Sequence, residues 1–205
     1  MERIGVDESG KGDYFGYLVV AGAYVDDISE NKLRQLRVKD SKLLDDIRIK
    51  KLVPLVKKTV PWTTVSISPE RYNELYTRFK NLNKLLSWAH ARVIENMLEK
   101  QPCQTVIVDK FAHERFLTSA LFEKGRAAAI VQRPNGERDI AVAAASVIAR
   151  AEFLATIRRL SRTVCFSLPK GATHVMEAAQ QFITLHGREH LTTVAKLHFK
   201  TTKRI

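Results

Sequence analysis

Residues 5 to 16, Gly-Val-Asp-Glu-Ser-Gly-Lys-Gly-Asp-Tyr-Phe-Gly, restrict this chain more than any other stretch. Ile4 and Val6 alternate as in a strand, which breaks at once into the adjacent acids Asp7 and Glu8 and then into Gly10, Gly12 and Gly16. Two neighbouring carboxylates at the end of an apolar strand repel each other and lose hydration, so packing does not select them. A divalent cation removes both penalties. Gly10-Lys11-Gly12 lets backbone approach a ligand closely, with N–H groups free to meet phosphate or hydroxyl oxygens and a lysine to hold charge. Acids for metal beside such a loop suggest nucleotide chemistry. The span Gly5 to Lys11 also fits the front of a P-loop. That motif continues with Ser or Thr, however, where this chain has Gly12, and it would place Asp7 and Glu8 where phosphates should lie.

A second apolar run, Thr105-Val106-Ile107-Val108, also ends in a carboxylate, Asp109. Open α/β sheets keep their sites at such strand ends. Between the two acidic ends, residues 18–25 read as a buried strand in a hairpin with residues 3–8, and 26–37 and 45–58 as helices. Asp40-Ser41-Lys42 is either a helix-capping turn or a lysine presented to phosphate. Residues 62–68 form a strand, and Pro69 opens a helical turn. Residues 81–100 are a long amphipathic helix, with Asn81 and Asn83 placed to cap it or to touch substrate. His90 in that helix reads as a packed or capped histidine rather than a ligand. Residues 113–124 read as helix and 127–131 as a last strand. A turn-rich loop, 133–139, then feeds an alanine-rich helix over 140–162. Its small side chains allow it to lie very close to the sheet, carrying Glu137 and Asp139 towards Asp7 and Asp109. Residues 173–186 and 188–196 are further helical segments, and the basic tail 196–204 is either a solvated end or a nucleic-acid contact.

Asp7, Glu8, Asp109 and an acid at 137 or 139 make an oxygen-only donor set suited to Mg2+ or Mn2+. Two such ions about 3.5–4 Å apart hold a phosphodiester between them, one activating water and the other stabilising the leaving 3′ oxygen. No Ser-His-Asp or Cys-His arrangement competes with this. The formal charge of +12 and pI near 9.9 fit a polyanionic partner. Cys103 and Cys165 stand alone, without zinc or disulfide spacing. Neither an apolar run of membrane length nor a signal-peptide core stands out. With no Pro/Gly/Ser-rich linker dividing the chain, one domain over residues 1–205 is expected, in a reduced cytoplasm, and a monomer is the default expectation.

The motif from Asp7 to Gly16 resembles the signature of type 2 ribonucleases H, and among them bacterial ribonuclease HIII. The resemblance continues through Asp40-Ser41-Lys42, Asn81 to Leu86 with Trp88 to Ala91, Val108 to Phe111, Ala141 to Arg150 and Ala195 to Lys200. It implies a ribonuclease H-like α/β fold, a mixed central β-sheet flanked by helices with further C-terminal helices. It also implies cleavage of the RNA strand of an RNA–DNA hybrid, leaving 5′-phosphate and 3′-hydroxyl ends. The family's metal acids fall on Asp7, Glu8 and Asp109. Direct matching puts Gly136 at the fourth; a one-residue shift brings in Glu137, with Asp139 in reserve. Gly10, Lys11 and Gly12 match the loop that reads the RNA 2′-hydroxyl, Lys42 matches the phosphate-facing lysine, and Asn81 and Lys170 join them as substrate contacts. Tyr17 replaces a usual proline, a structural and mild change. Ala172 follows Lys170-Gly171 where ribonuclease HII carries a tyrosine, which implies poor nicking at a single embedded ribonucleotide. The family generally carries an N-terminal substrate-binding domain, whereas Met1 lies just before Asp7, so weaker hybrid binding than in longer relatives is expected.

Overall fold

The computed structural model describes all residues from Met1 to Ile205. Five strands form one mixed sheet: β1 (Arg3–Ser9), β2 (Leu18–Val25), β3 (Trp62–Ile67), β4 (Thr105–Asp109) and β5 (Ala129–Arg133), in the order β3-β2-β1-β4-β5. β1 to β3 pair antiparallel, with Arg3 opposite Val25 and Ser9 opposite Val19 across the expected hairpin. β1, β4 and β5 run parallel. Parallel pairing sets Val6 beside Val108. The residues that follow, Asp7 and Asp109, therefore emerge together at the C-terminal edge of the sheet.

Alternation along the strands sorts side chains onto two faces. Ile4 and Val6 of β1, with Val106 and Val108 of β4, pack under α4 (Leu82–Lys100). The opposite face, including Val19, Ala21, Ala23 and Val25 of β2, lies against α7 (Ile140–Thr163). From Ile140 to Ala149 every residue of α7 is buried. The helix passes so near β1 that a Cβ on Gly5 would stand 2.1 Å from the backbone carbon of Ala141. α7 is also long and apolar enough, by length and composition, to cross a bilayer, which the sequence scan did not single out; 78% of its apolar window is buried inside the fold, as in a core helix.

The remaining elements follow the sequence reading with adjusted ends. α1 (Asp27–Gln35) begins with a capping box between Asp26 and Ser29, and α2 (Asp46–Thr59) is capped by Asp45. α3 covers Pro69–Phe79, and Asn81 caps α4 by accepting from the N–H groups of Asn83 and Lys84. The expected helix at 113–124 is two short ones, α5 (Glu114–Ala120) and α6 (Glu123–Ala127). The last strand lies two residues further on than its sequence pattern suggests. α8 spans Met176–His186. The segment expected to be helical to residue 196 is a 3-10 turn over Arg188–Thr193, after which Ala195 bridges to Phe15. That departure brings Lys196 under the glycine loop.

Candidate active site

Strand geometry distributes the acids unequally. Asp7 is on the same face as Gly5, towards α7, and Asp109 falls on that face too, two residues from Ile107. Glu8, one residue on, points to the α4 side. There its Oε2 lies 3.1 Å from Nε2 of His90, while its Oε1 accepts from Lys11 Nζ at 2.6 Å. His90 is fully buried, and its ring centroid is 4.4 Å from that of Phe111. It is packed, as the sequence suggested, but it also holds a candidate metal acid. The alternation of neighbouring strand residues was the available signal, because it sends Glu8 towards the helix that carries His90.

Each acid on the α7 side uses one oxygen on backbone. Asp7 Oδ1 accepts from the Glu8 N–H at 2.7 Å, and Asp109 Oδ1 from the Gly136 N–H at 2.9 Å. Burial, then the charges of Glu8 and Asp109, push the Asp7 carboxyl well above its ordinary range. Burial pushes Glu8 upward as well, but His90 and Lys11 outweigh it and hold that carboxyl at about 2. Burial works against the Lys42 ammonium, yet the charges of Asp7, Asp40, Asp109 and Glu137 raise its pKa. Glu137 thus acts electrostatically on the same lysine as Asp7 and Asp109.

The fourth acid is narrowed sterically. A Cβ on Gly136 would stand 2.8 Å from the Cα of Asp109, so that position accommodates no side chain while β4 stays in place. Asp139 is committed elsewhere: it caps α7 through the Ala141 N–H, and its other oxygen pairs with Arg3 Nε at 2.7 Å, at the opposite end of β1 from Asp7. No three His, Cys, Asp or Glu side chains close into a ligand set here. The donor chemistry nonetheless fits a hard cation, because Asp7, buried and crowded by like charge, is the sort of carboxylate such an ion relieves.

The loop beside these acids is held from several sides. Gly10 has φ +86°, and a Cβ there would lie 2.1 Å from the Tyr17 carbonyl oxygen. Gly12 is different: a Cβ on it would meet nothing within 4 Å. Protein packing therefore does not require a glycine at 12, whereas close approach by a ligand would. Asp13 accepts from the Gly171 N–H at 2.7 Å, and Gly16 donates to Val194. Lys196, fully buried, donates from Nζ to the carbonyls of Asp13 at 2.8 Å and Gly16 at 2.6 Å. Sequence reading missed this clamp, since nothing in a basic tail marks one lysine as buried.

Burial lowers the Lys196 pKa to about 7. Between that value and the ordinary lysine range the unfolded chain holds a proton that the native chain lacks, so stability rises with pH across this window. Thermal unfolding from pH 6.5 to 9.5 is expected to show that rise in the wild type and a flatter curve in Lys196→Met.

The other predicted contacts divide. Lys42, solvent-accessible although partly desolvated, makes no ion pair, its position fixed by a 2.8 Å hydrogen bond from the Ser41 N–H to Ser146 Oγ of α7. Lys170 is paired with Asp46 at the start of α2. Asn81 lies at the α4 cap. Asp7, Glu8, residues 9–13, Ser41, Lys42, Asp109 and Arg150 line one continuous pocket.

The family described as Ribonuclease HII matches residues 4–202. Among curated proteins, "Ribonuclease HIII" of Protochlamydia amoebophila is 44% identical over 97% of this chain and 66% of its own length. "Ribonuclease HIII" of Chlamydia abortus is 42% identical over 97% of the chain and 68% of its own. The chain thus spans about two thirds of the length of the curated relatives it matches. Among solved structures, Bst-RNase HIII in complex with Mn2+ superposes with a TM-score of 0.91 at 37% identity, covering the whole of this chain and 68% of that one. RNase H3 of Aquifex aeolicus gives 0.79 at 32% identity over 96% of this chain and 72% of its own.

Proposed function

Because the chain belongs to the ribonuclease HII family, we propose that residues 1–205 are one catalytic domain, an endonuclease hydrolysing the RNA strand of RNA–DNA hybrids. The observation that carries this reading is the juxtaposition, at one sheet edge, of Asp7 and Asp109 with a glycine loop whose Gly12 is open to close approach. Asp7, Glu8, Asp109 and Glu137 would hold Mg2+ or Mn2+. When bound there, the metal supplies an activated water and positive charge for the leaving 3′ oxygen. Glu137 is the fourth acid on this reading because Asp139 is spent on Arg3 and the α7 cap, while Glu137 shares the field around Lys42.

The protein's own groups do the remainder. The main chain of Gly10-Lys11-Gly12 meets the ribose 2′-hydroxyl, which separates RNA from DNA by shape and backbone rather than base sequence. Lys42 faces a phosphate. Lys11 is held by Glu8 in the free protein, an ion pair that would compete with a metal for that carboxylate. His90 stays with Glu8 and limits how far that carboxylate travels. The protein works in the cytoplasm as a monomer.

The test is cleavage of a labelled hybrid in Mg2+, Mn2+ and chelator, beside DNA–DNA and single-ribonucleotide duplexes. Metal-dependent cutting within runs of ribonucleotides, with 5′-phosphate ends and little attack on the lone ribonucleotide, is expected. Cutting of DNA–DNA, or none of the hybrid in either metal, refutes the reading.

A further inference from the structure

Beside the acidic pocket, two cations from different parts of the chain, one of them Arg150 of the pocket lining, converge on a single carboxylate. Arg150 of α7 reaches Asp46 Oδ1 through Nη2 at 3.3 Å, and Lys170, from the loop after α7, reaches Asp46 Oδ2. Asp46 is the first residue of α2, and Asp45 already caps that helix, so Asp46 is not needed for capping. All three side chains are partly exposed, at 25% for Arg150, 42% for Lys170 and 40% for Asp46. A pair this open to water contributes little to folding.

The placement is more informative. Arg150 lines the pocket that contains Asp7 and Asp109, with its guanidinium 5.4 Å from the ring centroid of Phe153. The residue after Lys170, Gly171, donates its N–H to Asp13 of the glycine loop and accepts from Tyr14 through its carbonyl. Both cations are thus anchored to parts that define the active site. A guanidinium and an ammonium gripping two oxygens of one anion is an arrangement that also suits a phosphodiester. We propose that Arg150 and Lys170 form a phosphate-binding subsite for the nucleic-acid backbone, and that Asp46 occupies it in the free protein as an internal anion. This rests on the hybrid-binding function above. On it, Asp46 competes with substrate, and an incoming phosphate displaces its carboxylate from both cations.

The sign of one substitution separates this from a simple clip between α2 and the 170 loop. Affinity for a labelled RNA–DNA hybrid would be measured by fluorescence anisotropy in chelator over a range of salt, using wild type, Asp46→Asn, Arg150→Gln with Lys170→Gln, and the triple variant. Removing the competing anion is expected to tighten binding roughly three- to tenfold and to steepen the dependence of log Kd on log salt by about one to two. In the Arg150→Gln, Lys170→Gln background the same change should shift Kd less than about twofold, since the freed cations are gone. Unchanged or weaker binding by Asp46→Asn overturns the proposal. So does an equal gain without Arg150 and Lys170, which would be a general effect of net charge. Should Asp46→Asn not unfold cooperatively, Asp46→Ser takes its place in the same cycle. Cleavage of the same hybrid by the wild type in Mn2+ tests the function separately: if the wild type cuts and the cycle shows no coupling, only the subsite falls.

Discussion

Asp7→Asn is expected to lower metal-dependent hybrid cleavage by on the order of 10³-fold or more, while raising the melting temperature of the metal-free protein by a few degrees. Both effects have one cause. Asp7 is buried beside Glu8 and Asp109, and its carboxyl is pushed upward by burial and then by their charges. The metal-free fold therefore bears a cost at this position that a neutral amide of the same shape removes. The same substitution takes away the carboxylate on which the proposed metal set converges. Adding Mn2+ should accordingly raise the melting temperature of the wild type and leave Asp7→Asn nearly unmoved. Retention of cleavage within tenfold of wild type would show that the metal site does not depend on Asp7.

Gly5→Ala should be the most damaging single-methyl substitution in the sheet, at about 3 kcal/mol or more. The added Cβ would lie 2.1 Å from the carbon and 2.4 Å from the oxygen of Ala141, and 2.2 Å from the nitrogen of Val142. These are backbone atoms, so no rotamer relieves the clash and α7 itself must move. Gly22 supplies the control on the opposite face. Its added Cβ would meet Met97 Cγ at 2.7 Å and Val93 Cγ1 at 2.9 Å, side chains that can turn away. Urea unfolding of both variants should place Gly22→Ala well above Gly5→Ala in stability; a loss below about 1 kcal/mol for Gly5→Ala would mean that α7 shifts more easily than this packing implies. Such a shift would also disturb the site, because α7 carries Ser146, which fixes Ser41 next to Lys42, and Arg150 in the pocket wall.

Features written in local pattern were legible in the sequence. The acids at two strand ends, the hairpin of β1 and β2, the amphipathic α4 and the small-residue α7 all follow from periodicity and composition. The ribonuclease HIII resemblance found in those motifs agrees with the family match and the structural neighbours. What escaped depends on meetings between distant residues. His90 as partner of Glu8, Lys196 beneath the glycine loop, and Asp139 drawn to Arg3 are long-range pairings that no spacing rule encodes. Gly136 belongs with them. Matched by position it looked like a missing carboxylate, but its surroundings show a glycine demanded by the backbone of Asp109.

The parallel pairing of β1 with β4 has a consequence for how the protein is made. Asp7 is synthesised roughly a hundred residues before its neighbour Asp109, and Glu137 comes later still. A growing chain can complete the β1–β2 hairpin with its glycine loop long before the acids are assembled. Until then the chain lacks the carboxylates proposed to join Asp7 in holding metal. The order of the strands in the sequence thus withholds the proposed metal site until β4 has been made and has paired with β1.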